Sequence, residues 1–260
     1  MIERNAKITI TVHPGTSKGG ELENFDPIDI NPGDTISIVG PTGSGKTAFI
    51  NDIEVFAQGD TVTGRRIDFN GEAPPDEFSR DPARKPVAMI TQNTKCLADL
   101  TVREFLDMHA SIRGSAGEGM AERALDLANG FTGEKIDARF KMSSLSGGQT
   151  RSLMIADAVA ISDAPILLLD EIENAGIFRD AVIATLRSLE RAVIFVTHDP
   201  YVSMISDRRI VMRDGRVESV LRPRDSEREA LASVRGMDEA LSRVRERIRA
   251  GEVITGGGAL

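Results

Sequence analysis

No tryptophan, one tyrosine and one cysteine occur among the 260 residues. Scarce aromatic rings argue against a base-stacking platform for single-stranded nucleic acid. A lone Cys96 cannot close an internal disulfide, which fits a reducing compartment such as the cytoplasm. No run of about 18 or more apolar residues appears, so no segment reads as a membrane span. Met1-Ile2-Glu3-Arg4-Asn5 lacks the apolar stretch of a secretory leader. Positive charge is in deficit: 32 Lys and Arg stand against 40 Asp and Glu, a net charge of −8. That balance argues against a general electrostatic grip on nucleic acid or anionic lipid, while leaving room for a local basic patch. The length suits one large α/β domain, or one domain with a subdomain, and is ample for a real core.

The stretch around which the rest is organised is Ile36 to Ile50. A β-branched run ends in Gly40-Pro41-Thr42-Gly43-Ser44-Gly45-Lys46-Thr47 and leads into a helix-forming segment. This matches G-x-x-x-x-G-K-[ST]. Gly43 and Gly45 let the backbone curl so that successive N–H groups converge on one phosphate chain. A helix starting near Lys46 adds the positive end of its dipole. The Lys46 ammonium reaches the outer phosphates and the Thr47 hydroxyl can ligate Mg²⁺. An ordinary glycine-rich turn is the plain alternative, and the flanking strand and helix speak against it.

Along the chain, Ile8 to Val12 alternates as a strand, and Ile28–Ile30 and Thr35–Val39 flank a turn at Asn31-Pro32-Gly33-Asp34. Lys46 to about Ala57 reads as a helix, and Gly64–Asn70 as a strand closed by Asn70-Gly71. Glu72–Lys85, with three prolines, reads as a surface loop. Val87–Thr91 returns as a strand and delivers Gln92. From Thr101 the period becomes helical, with Val102, Phe105, Leu106 and His109 on one face, so residues of about 97–148 read as a helical subdomain inserted into the α/β core. Gln149–Ile161 is another helix. Ile166–Leu169 is apolar on both faces, as a central parallel strand would be. Phe178–Leu189 is helical, Val193–Val196 a buried strand, and Ile210–Met212 with Val217–Val220 a hairpin turning at Asp214-Gly215. Glu227–Arg249 is an amphipathic helix, read as packing on the core through Val234, Met237, Leu241, Val244 and Ile248; a dimerisation or partner-binding face is the alternative. The tail Gly256-Gly257-Gly258 is expected to be disordered.

Three stretches add polar groups. The apolar strand ends in Asp170-Glu171, either a plain polar terminus or a second Mg²⁺ anchor with a neighbour able to polarise water. The next ends in Thr197-His198-Asp199, again at a carboxyl edge, where parallel α/β sheets gather ligands. Alone, His198 reads more readily as a surface or helix-cap residue. Leu145-Ser146-Gly147-Gly148-Gln149 stands immediately before a helix and forms a second anion site, or else a simple cap. One chain can hardly fold two phosphate cradles onto one γ-phosphate; a second copy of the chain could bring the other across.

The ordered set Gly40–Thr47, Gln92, Leu145–Gln149, Ile166–Glu171 and His198 resembles the ATP-binding cassette (ABC) ATPase family over residues of about 7–220. The resemblance implies an α/β fold: a P-loop NTPase core with a mostly parallel central sheet, an N-terminal antiparallel β-subdomain and the inserted helical subdomain, within a cassette of residues 1–225 followed by a helix and tail over 226–260. It implies two cassettes sandwiching two ATP–Mg²⁺ head to tail. Lys46, Thr47 and their loop on one copy would face Ser146, Gly147, Gly148 and Gln149 on the other. Thr47, Gln92 and Asp170 would hold Mg²⁺, Glu171 would act as general base, and His198 would contact the γ-phosphate. The implied role is the energising subunit of a membrane transporter, cytoplasmic and docked on permease subunits at the inner face of the membrane, with no direct nucleic-acid partner. The alternative is a non-transport cassette that remodels a soluble protein or a cofactor assembly.

Two departures mark a divergent member. Glu171 is followed by Ile172-Glu173-Asn174-Ala175-Gly176-Ile177, with Ile177 where the family pattern has aspartate. The aromatic that usually stacks on adenine is missing near residues 13–18, leaving His13 as the substitute by position.

Overall fold

The computed structural model describes residues 8–81, 83–91, 99–114, 119–171 and 177–254. Gln92, the run Glu173–Gly176 and the Gly256–Gly258 tail lie outside the described residues. The elements are β1 Ile10–His13, β2 Ile28–Ile30, β3 Thr35–Val39, α1 Lys46–Val55, β4 Arg66–Phe69, α2 Glu77–Arg80, β5 Val87–Ile90, α3 Val102–Ile112, α4 Met120–Phe131, α5 Gly147–Ala160, β6 Ile166–Asp170, α6 Arg179–Ser188, β7 Ala192–Val196, α7 Pro200–Ile205, β8 Arg208–Arg213, β9 Arg216–Leu221 and α8 Asp225–Arg249.

A three-stranded antiparallel sheet runs in the order β2-β1-β4, and a six-stranded sheet in the order β5-β6-β7-β3-β8-β9. The first five strands of the larger sheet are parallel, and β9 closes its edge antiparallel to β8. Strand alternation sorts the core into two layers. Ile36, Ile38, Leu168 and Ile194 point to the face carrying α1 and the small sheet, where Phe49, Ile50, Ile10 and Ile67 meet them. Leu167, Leu169, Val193 and Phe195 point to the opposite face, against Leu106, Leu153, Val182 and their helices. Both faces of β6 and β7 are covered, which is why these strands read as unbroken apolar runs.

Local chemistry starts the helices where they start. Thr101 and Glu104 form a reciprocal capping box at α3, and Ser146 and Gln149 do the same at α5. His109 of α3 places Nδ1 at 2.9 Å from the buried carboxylate of Asp157 on α5. That hydrogen bond raises the imidazole pKa above its ordinary value against the opposing effect of burial.

The structure revises three readings. The stretch called a surface loop contains α2, whose buried Phe78 packs at 5.1 Å from Phe56 and 5.0 Å from Phe69. α5 begins two residues earlier than expected, so Gly147 and Gly148 belong to its first turn. α8 buries its apolar stripe only in part: Val234 and Val244 are half-buried, while Met237, Leu241 and Ile248 are 67%, 52% and 58% exposed. It is held along its first half and at its middle, against α7 and by ion pairs of Glu227 with Arg209, Arg235 with Asp180 and Asp238 with Arg179.

Candidate functional site

The loop after β3 is held from outside. Gly40 has φ +149, and a Cβ there would lie 2.2 Å from the Met212 carbonyl oxygen. Gly45 has φ +99, with Gly215 Cα 2.9 Å from where a Cβ would be. Both positions exclude a side chain on conformation and space together. The Gly215 N–H donates to the Ser44 carbonyl at 3.0 Å, and Lys18 Nζ donates to the Gly43 carbonyl at 2.5 Å. Carbonyls are thus engaged at two successive residues of the loop. Lys46 Nζ donates to the Gly40 and Pro41 carbonyls at 2.8 and 3.0 Å. Burial lowers its pKa, while the carboxylates of Glu171 and Asp170 oppose that shift. Pro41, Thr42 and Gly43 are exposed, Ser44 is buried, and Thr47 is exposed in the first turn of α1.

Behind the loop lies an ion network that sequence reading did not find. Arg65 is fully buried. Its Nε and Nη2 donate to Glu23 at 2.8 and 2.6 Å, its Nη1 to Asp52 at 3.0 Å, and Nη2 also to the Gly215 carbonyl at 3.2 Å. Glu23 further accepts the N–H groups of Gly15 and Val217, and Asp52 the hydroxyls of Thr61 and Thr63. Each charge is therefore paired and hydrogen-bonded, which is what makes its burial tolerable. The network ties the segment after β1, the P-loop helix α1 and the β8–β9 turn into one support for the loop.

The order β6-β7-β3 brings three strand ends to the same edge. Asp170 closes β6, Glu171 follows it, Thr197 and His198 follow β7, and Gly40 follows β3. Glu171 adopts φ 49 and donates its N–H to the Val196 carbonyl at 2.9 Å. Its Oε1 lies 3.6 Å from His198 Nε2, and both side chains are partly exposed. Asp199 caps α7 and pairs with Arg179, which fixes the backbone beside His198 to α6. A cavity of about 450 Å³ opens here, lined by Gly40, His198, Ser203, Arg209 and Glu227 among others.

The structure places Ser146, Gly147, Gly148 and Gln149 elsewhere. They head α5, on the core layer opposite α1 and the lysine loop. The Ser146 hydroxyl accepts the Gln149 N–H at 3.3 Å and donates to Glu134 at 2.9 Å. His13, the positional substitute for an adenine-stacking ring, has its Nε2 2.7 Å from Asp68 of β4. Ile177 is buried and pairs with Thr132 beyond α4.

A glycine loop between a central parallel strand and a helix, with acidic residues closing the neighbouring strand, defines a P-loop nucleoside triphosphatase. The family described as ABC transporter matches residues 25–174, and the chain belongs to that family, as an ATP-binding and ATP-hydrolysing cassette. It is 45% identical over 246 residues to an uncharacterized ABC transporter ATP-binding protein of Methanocaldococcus jannaschii, covering 95% of this chain and 94% of that one. It is 31% identical to the spermidine/putrescine import ATP-binding protein of Mannheimia succiniciproducens over 78% of the chain. The chain spans 54% of that import protein's length. Among solved structures, the dimeric ATP-binding cassette in a post-hydrolysis state bound to ADP and Pi superposes with a TM-score of 0.64 at 25% identity, covering 83% of this chain and 99% of that one. A nucleotide-free cassette from an ABC transporter shares the fold, with a TM-score of 0.62 at 22% identity over 87% of this chain and 95% of its own.

Proposed function

We propose that two copies of this chain, or this chain and a related one, enclose two ATP molecules and use their hydrolysis to drive the membrane subunits of a transporter. One observation carries the reading: Lys46 lies within electrostatic reach of Glu171 and Asp170, while the Ser146 loop stands on the opposite core layer. The triphosphate would lie along the loop Gly40–Thr47, facing backbone N–H groups such as those of Gly43, Gly45, Lys46 and Thr47, with the Lys46 ammonium leaving its loop carbonyls for the β- and γ-oxygens. Ser146, Gly147, Gly148 and Gln149 of the other copy would close over the γ-phosphate. Glu171 would accept the proton of the attacking water and His198 would brace that water against the phosphorus.

Mg²⁺ suits the donors present. Among the described residues no group of three or more His, Cys, Asp or Glu side chains forms a metal cage. The exposed Thr47 hydroxyl and the Asp170 carboxylate offer the sparse oxygen set that Mg²⁺ completes with phosphate oxygens and water, and Gln92 would join them. When bound, the ion neutralises charge on the transferring phosphoryl group. Among the described residues no helix is long and apolar enough to cross a membrane; the membrane subunits would be met at the cytoplasmic face. Affinity capture of the tagged chain from detergent-solubilised membranes of its own cells is expected to retain a many-span membrane protein. Retention of soluble proteins alone would turn the reading toward a non-transport cassette.

A further inference from the structure

The hydroxyl by which the Ser146 loop would take a phosphate already holds an anion. Ser146 Oγ donates to Glu134 Oε2 at 2.9 Å, at the positive end of the fourteen-residue helix α5. The segment that presents this carboxylate is held on both sides. Gln149 Nε2 donates to the carbonyls of Glu134 and Lys135 at 3.4 and 3.3 Å. Asn129 exchanges hydrogen bonds with the backbone of Ile136, at 2.7 and 3.1 Å, and the Ile136 side chain is buried. Glu134 donates its own N–H to Thr132 Oγ1 at 3.2 Å. Thr132 in turn pairs with Ile177, and the Phe178 N–H donates to the Phe131 carbonyl at 2.7 Å. The glutamate is therefore presented to the serine by a fixed stretch of backbone. That stretch is tied to the cap of α5 on one side and to the chain leading into α6 on the other.

We propose that Glu134 sets the ATP concentration at which two cassettes close. Its carboxylate holds the anion position of the Ser146 loop in the separate chain, and it must withdraw before the γ-phosphate on the other copy can arrive. The inference rests on the shared-site reading above. A carboxylate and a γ-phosphate at one serine are like charges at hydrogen-bond distance, and at the exposed surface that Glu134 and Ser146 occupy that repulsion is modest and screened by salt. A merely structural Glu134 would act in the opposite sense, since losing it would loosen the loop and weaken closure.

The test uses the full chain with Glu171→Gln, expected to retain bound ATP, and follows its mass by sedimentation velocity as ATP is titrated. Adding Glu134→Ala is expected to lower the ATP midpoint for pairing by about fivefold, the scale of an exposed charge interaction. Glu134→Gln keeps an acceptor for Ser146 without the charge and is expected to lower the midpoint nearly as far. The gap from the parent closes as salt is raised. A midpoint that is unchanged or raised in Glu134→Ala overturns the proposal while leaving the shared site intact. If the Glu171→Gln parent itself never pairs at any ATP concentration, the shared-site reading fails and the proposal falls with it.

Discussion

Glu171→Gln lowers phosphate release at saturating ATP by about 10²- to 10⁴-fold, the range a positioned general base contributes. The reason lies in what the change spares. Glutamine keeps the volume of glutamate, and the backbone of Glu171 is set by its N–H bond to Val196 rather than by its side chain. The φ of 49 at this position costs glutamine no more than glutamate. What disappears is a carboxylate 3.6 Å from His198, close enough to Lys46 to oppose the lowering of its pKa. Nucleotide binding, carried by the loop and Lys46, should persist while turnover stops. Paired measurements of ATP affinity and of phosphate release separate the two. A variant that keeps the parental rate removes Glu171 from the base role.

Arg65→Met has the largest expected effect on stability. Removing the guanidinium leaves the Glu23 and Asp52 carboxylates buried at 6% and 2% exposure with their counter-charge gone. Breaking a buried pair from one side costs about 3–5 kcal/mol. For a domain of this size that lowers the melting temperature by roughly 10 °C. The Arg65 guanidinium also sits 5.0 Å over the Phe49 ring, so part of the loss is packing on α1. Neutralising the partners as well, with Glu23→Gln and Asp52→Asn in the same chain, is expected to recover part of the deficit, because no uncompensated charge is then left inside. Denaturant unfolding of the single and triple variants reads both. A single-variant loss under about 1 kcal/mol would contradict the burial argument, since that is the scale of an exposed pair.

These two predictions differ in how far the sequence announced them. The lysine loop, the apolar runs at β6 and β7 and the Ser146 cap are local patterns, each legible because spacing along the chain is spacing in the element. Arg65, Glu23 and Asp52 were not legible: 42 and 13 positions separate Arg65 from its partners, and a lone charge in a polar stretch reads as solvated. Lys18 escaped notice for the same reason, since its partner Gly43 lies 25 positions on. α7 is six residues long and opens on Pro200, too short for periodicity to show. α8 was legible as a helix, but an amphipathic stripe does not say what covers it, and here much of that stripe meets solvent. The pairing of His13 with Asp68 across β1 and β4 was not legible either, since 55 positions separate the two.

The sharing of one triphosphate between two chains is tested most directly by mixing two dead variants. Lys46→Ala breaks the loop side of every site in its own pair, and Ser146→Arg fills the cap side in its own. If sites are shared across a two-fold interface, half of the randomly mixed pairs carry one site in which Lys46 and Ser146 are both intact, so the mixture should regain about a quarter of the parental ATPase activity. A mixture as inactive as either variant alone, under conditions where the parent chain pairs, would contradict the shared site.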